Sequence, residues 1–239
     1  MEVTRMAQIY IAFADTPGLF ASLIRLVLKQ KYIHVAVSMD PGLEETYSIG
    51  RRHPSIPLIA GFEKEDKRKI LRAFPEADYM VASIECTEEQ KEYIRERLRE
   101  TMKKRFRYHY TILGLPFLLM NIPFYQKNHY TCSSFAARLL EEAGVCSWGK
   151  HFSLVTPKDF MEYDGKRILF EGSLRDLVET DERGYVYGPV PAFSLARPAY
   201  AGNPYRPMQA GYMKTGAVYG AVPAAYRNNG MYRGVNYER

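Results

Sequence analysis

The chain has 239 residues, 46% of them hydrophobic, and a formal net charge of +6. That length holds one large domain or two small ones, and three cysteines without paired spacing (Cys86, Cys132, Cys146) exclude a disulfide framework and point to a reducing compartment. The charge is unevenly placed: residues 197–239 carry six basic side chains and one acidic, leaving about +1 for the body, which excludes a general basic surface for nucleic acid there.

In chain order, residues Met1–Gln8 lack a basic stretch running into an apolar segment, so no secretory signal is read and the expected localisation is cytoplasmic. Gln8–Phe13 is a short apolar strand. Asp15-Thr16-Pro17 supplies capping residues for a helix over Leu19–Lys29. Tyr32–Met39 alternates as a strand, Asp40-Pro41-Gly42 turns the chain, and Glu44–Arg51 returns as the second strand of a hairpin. Further strands are expected at Leu58–Phe62 and Tyr79–Cys86. Thr87 with Gln90 forms a capping box for a charged helix reaching about Lys104.

Ile112–Phe124 is the longest apolar run, but Gly114, Pro116, Asn121 and Pro123 interrupt it and it falls short of the roughly 20 residues that span a bilayer. Thr131 then caps a helix whose apolar positions are Phe135, Ala136, Leu139, Leu140 and Ala143, with Gly144 at its C-terminal end. Arg167–Phe170 is a late strand. The pattern is that of an α+β domain over residues 1–195. Residues 196–239 are rich in Tyr, Gly, Pro and Arg and lack Leu, Ile, Phe and Trp, so disorder is expected for them.

Cys132 falls in the first turn of its helix, where unpaired N–H groups and the positive end of the dipole favour thiolate over thiol. The plainer reading is a buried structural cysteine. A nucleophilic thiolate needs a base, and of the five histidines His34 stands out, because an imidazole inside an apolar strand is costly unless partnered. Glu44 and Glu45 on the next strand offer that partner, and sequence does not fix which of them faces inward. A satisfied core histidine is the alternative. No Cys or His spacing suits a metal, and no glycine-rich phosphate loop follows a strand, so no cofactor is expected.

His34-Val35-Ala36-Val37-Ser38-Met39-Asp40 with Leu43–Arg51, and later Tyr130-Thr131-Cys132-Ser133-Ser134-Phe135 with Thr156-Pro157-Lys158-Asp159-Phe160, resemble two blocks of circularly permuted NlpC/P60 (papain-like) proteins. In unpermuted papain-like chains the cysteine helix precedes the histidine strand; here the histidine comes first. The resemblance covers about residues 8–170. It implies a papain-like fold with an antiparallel sheet packed on the cysteine helix, and a cysteine hydrolase triad of Cys132 (nucleophile), His34 (general base and acid) and Glu45, with Glu44 as the alternative. Tyr130 is a possible oxyanion or substrate donor beside its reading as a packing residue. Substrates implied are amides, such as peptidoglycan-type peptides, or acyl esters and thioesters. The competing reading is an assembly or coat-type protein with a degenerate hydrolase domain, its tyrosine-spaced tail self-associating or binding an acidic partner.

Overall fold

Met6–Asp15 (β1) lies at the heart of an eight-stranded sheet in the computed structural model, which describes residues 5–17, 25, 30–53, 56–111 and 113–182. The expected strand Gln8–Phe13 thus extends at both ends, because β1 pairs over its whole length with Asp78–Thr87 (β5). The remaining strands are His34–Ser38 (β2), Thr46–His53 (β3), Ile56–Glu65 (β4), His109–Tyr110 (β6), His129–Tyr130 (β7) and Lys166–Ser173 (β8), in the order β7-β6-β4-β3-β2-β1-β5-β8. Every pairing is antiparallel except β6 with β7.

The alternation within β1 explains the layers. Ile9, Ile11 and Phe13 point to one face with Val35, Val37, Ile49 and Phe62. Ala12 and Ala14 point to the other with Ala36, Tyr79 and Val81. The first face is covered by two helices, Glu88–Lys103 (α2) and Cys132–Glu142 (α4), through Ile94, Leu98, Ala136 and Leu140. On the second, Leu174–Glu182 (α6) contributes Leu174, Leu177 and Val178, and Lys67–Ala73 (α1) adds Ile70 and Leu71. Two short helices, Gly114–Leu119 (α3) and Pro157–Glu162 (α5), and the 3-10 turns Arg105–Arg107 and Phe152–Leu154 complete the described elements.

The capping signals hold in detail. Thr87 and Gln90 exchange the two hydrogen bonds of a capping box at the start of α2. Thr131 and Ser134 do the same for α4, at 3.0 and 2.8 Å. Gly144 takes the left-handed conformation one residue past the C-cap Ala143, as a residue without a Cβ does most readily. Unlike the one-sided helix the apolar spacing predicts, α4 is buried all round its first two turns, from Cys132 to Ala137. Its serines are tolerated there because Ser134 serves the cap and Ser133 Oγ donates to Val155 O at 2.7 Å.

Three expectations change. The returning strand starts at Thr46 rather than Glu44, because the Asp40 carboxylate holds the backbone N–H groups of Glu44 (3.0 Å) and Glu45 (2.7 Å) in the turn. The strand expected at Leu58–Phe62 runs on to Glu65. His34 is the first residue of its strand, not a middle one. Of the expected helix Leu19–Lys29 only Arg25 is among the described residues, and the boundary near 195 and the tail 196–239 lie outside them. Among the described residues no helix is long and apolar enough to cross a membrane.

Candidate active site

The site forms where β2 and β3 separate. Met39 N–H donates to Glu45 O at 3.0 Å, which sets the phase of the ladder, and the β2–β3 register is Ser38↔Thr46 and Val37↔Tyr47. With period two, Val35 N–H points toward β3 as well. The pairing has ended by that rung, and the N–H bonds the Cys132 sulfur instead. The start of α4 therefore enters the gap, with Cys132 Sγ 3.9 Å from Ile33 O. Ser133 N–H, an unpaired donor of the first helical turn, also bonds the sulfur.

His34, at the open end of β2, is hydrogen-bonded to the Cys132 side chain. Its Nε2 meets Glu65 Oε1 at 2.6 Å, and the same carboxylate oxygen accepts from Ser48 Oγ. Glu65 lies two strands away, and its carboxylate reaches His34 across β3 at Gly50. A Cβ on Gly50 would sit 3.4 Å from His34 Cε1, 3.8 Å from Glu65 Oε1 and 3.1 Å from Ser48 Oγ. A glycine inside a strand marks such a close approach. We expect Gly50→Val to slow Cys132 alkylation at neutral pH at least about tenfold, the equivalent of one pKa unit of lost imidazolium support, with Gly50→Ala milder. An unchanged rate in a folded Gly50→Val protein would show that the contact needs no such gap.

The charges reinforce one another. Burial works against the His34 cation, but the Glu65 carboxylate, the Cys132 sulfur and the hydrogen bonds to both outweigh it and push the imidazole up to about 10. Burial likewise opposes the Cys132 thiolate, yet the His34 charge and hydrogen bond, with the Val35 and Ser133 N–H groups, hold the thiol below its ordinary value. Glu65 is kept low by His34 and Ser48 despite its own burial. The arrangement favours a thiolate beside an imidazolium.

The structure replaces both sequence-derived candidates for the carboxylate. Glu45 lies in the turn opposite Met39, five residues and about 16 Å along the strand direction from His34. It accepts from Tyr47 Oη at 3.4 Å and pairs with Arg95 at 3.9 Å. Glu44 pairs with Lys67 and Arg68, at 2.9 and 3.0 Å. Tyr130 is not placed as a donor to substrate either. Its hydroxyl is shared between Tyr125 Oη (2.9 Å) and Arg138 (3.0 Å), within an aromatic cluster that includes Tyr108, Phe135 and Phe152. Tyr110 in β6 lies within electrostatic reach of Cys132, and its phenol is raised by burial and by the negative charge of Cys132 and so stays protonated. Sequence reasoning missed Glu65, Ser48 and Tyr110.

The other histidines whose side chains are described have separate work. His109 and His129 pack ring to ring at 5.1 Å, and His151 accepts from Ser153 N–H at 3.3 Å. No cluster of three or more His, Cys, Asp or Glu that could hold a metal is present among the described residues. No family model, curated protein or solved structure matches this chain.

Proposed function

We propose that the chain is a cysteine hydrolase of the circularly permuted papain-like type, cleaving an amide or acyl bond through Cys132, His34 and Glu65. The observation that carries this reading is the hydrogen-bonded sequence Ser48–Glu65–His34–Cys132, in which each charge favours the next. The chain order, histidine strand before cysteine helix, agrees with a permuted arrangement.

In this mechanism the Cys132 thiolate attacks the carbonyl carbon and forms a C–S bond, while the carbonyl oxygen takes the negative charge. The Cys132 N–H at the first helical position is a donor to that oxygen. Collapse of the intermediate breaks the bond to the leaving group, which takes the His34 proton. Neutral His34 then removes a proton from water as the water attacks the thioester. Release of the acid restores thiolate and imidazolium. Glu65 stays ionised throughout and fixes the imidazole by its Nε2 edge.

Thiol reactivity tests the reading without a known substrate. Cys86, Cys132 and Cys146 are similarly inaccessible, 3%, 5% and 6% exposed, so access does not separate them. Burial raises Cys86 and pushes Cys146 up to about 11, whereas Cys132 is lowered. Iodoacetamide at neutral pH, followed by peptide mass spectrometry, should modify Cys132 at least about tenfold faster than either other cysteine. Equal rates for all three would sink the proposal. A screen of amide, ester and thioester substrates then identifies the bond.

A further inference from the structure

The segment between β6 and β7 leaves several of its described apolar residues exposed. Leu113, Leu119, Met120 and Ile122 are 69%, 59%, 58% and 46% exposed. The segment is nonetheless built. Gly114 N–H bonds Thr111 Oγ1 at 3.1 Å, Phe117 stacks on Phe124 with centroids 4.6 Å apart, and Phe124 N–H donates to Ser153 Oγ at 3.2 Å. One set of apolar side chains thus holds the crossover together, and a second set faces outward.

The sequence around these residues carries charge of one sign. From Thr101 to Leu140 the sequence contains no Asp or Glu and six Lys or Arg. Lys103, Lys104, Arg107 and Lys127 are exposed. The β6–β7 register, His109↔His129, brings Arg107 and Lys127 to the same end of the parallel pair. Exposed apolar side chains in a stretch of chain that carries cations and no carboxylate complement a surface with an apolar interior and an anionic face. The parallel strands β6 and β7 both end toward the site: Tyr110 lies within electrostatic reach of the Cys132 sulfur, and Tyr130 is followed by Thr131 and Cys132.

We infer that residues 113–122 dock the protein on an anionic lipid bilayer, Leu113, Leu119, Met120 and Ile122 entering the headgroup layer while Lys103, Lys104, Arg107 and Lys127 meet lipid phosphates. Docking of this kind sets the entrance of the Cys132 site against the membrane. It does not depend on the proposed chemistry, since binding is measured without turnover.

The test is sedimentation of the full chain with vesicles of phosphatidylcholine alone and of phosphatidylcholine with phosphatidylserine. Binding should favour the mixed vesicles and weaken with salt. Leu119→Asp with Met120→Asp should reduce it at least about tenfold. Lys103→Ala with Lys104→Ala should reduce it about fivefold per charge removed. Far-UV circular dichroism and Cys132 alkylation report whether each variant is folded, and Ile122→Asp alone is the gentler substitution if the double variant is not. Absence of binding by the full chain overturns the inference. So does binding that Leu119→Asp/Met120→Asp and Ile122→Asp leave intact, which would belong to the basic residues 197–239. A variant that lowers the oligomeric mass, in a chain that ignores vesicles, assigns the face to a second copy instead.

Discussion

Glu65→Gln should reduce turnover about 10³–10⁴-fold while the protein stays folded. The amide keeps an oxygen for the Ser48 hydroxyl, so the buried pocket loses its charge but not that bond. The sign follows from the electrostatics. A carboxylate 2.6 Å from Nε2 favours the protonated imidazole, and removing it lets His34 lose its proton below the value of about 10 that it holds in the intact site. With less positive charge beside it, the Cys132 thiol rises. The pH interval in which thiolate and imidazolium coexist then narrows from both sides, and the alkaline limb of activity moves down. An NMR titration of the His34 ring measures this directly and separates it from a general loss of packing, which would not move that titration. Glu45→Gln and Glu44→Gln should leave both turnover and the titration nearly unchanged, since their carboxylates are engaged by Arg95, Lys67 and Arg68. If Glu45→Gln proves the damaging change and Glu65→Gln does not, the assignment of the carboxylate fails.

Which parts of this site could be read from sequence depended on how local their physics is. Cys132 was legible because a cap, a thiol and a helix face lie within a dozen consecutive residues. His34 was legible because a titratable ring in an apolar strand needs a partner wherever it sits. The identity of that partner was not, because it is a question of register between strands far apart in sequence. Glu44 and Glu45 follow β2 closely, but the Asp40 carboxylate keeps them in the turn, and the strand they were expected to open begins after them. Glu65 sits in the charged run Glu63–Asp66, which resembles the end of a strand. It belongs to β4 because Glu63 pairs with Arg52 and Arg105 while Glu65 pairs with His34, so the charges are satisfied within the sheet. Gly50 was the available clue, an unexplained glycine in a strand. Tyr110 gave none, since a two-residue strand has no periodicity to read. The sheet itself was legible in its inner strands, where apolar residues alternate or run together. The short strands β6 and β7 were not, and neither were α1, α3, α5 and α6, although Asp66, Thr156 and Ser173 stand as capping residues before α1, α5 and α6.

His34→Ala should have the larger consequence for the thiol. Burial alone raises a cysteine in this protein, as Cys146 at about 11 illustrates, and at Cys132 burial is the largest influence on the thiol. The imidazolium is the principal group that reverses it. Without His34, only the Val35 and Ser133 N–H groups still favour the thiolate. A thiol returned to its ordinary range or above is at most a few per cent ionised at pH 7. Alkylation of Cys132 at that pH should therefore slow about 10²-fold, and turnover about 10⁵-fold or more, because the proton for the leaving group is lost as well. The shape of the pH profile is the sharper measurement. In the intact protein the alkylation rate should already approach its plateau near neutrality. In His34→Ala it should still be climbing past pH 9, and reach comparable rates only where the unassisted thiol ionises. Profiles that superimpose would mean that Cys132 draws its ionisation from the helix start and the open β2 rung alone, and that His34 is a buried histidine satisfied by Glu65 without a part in the chemistry.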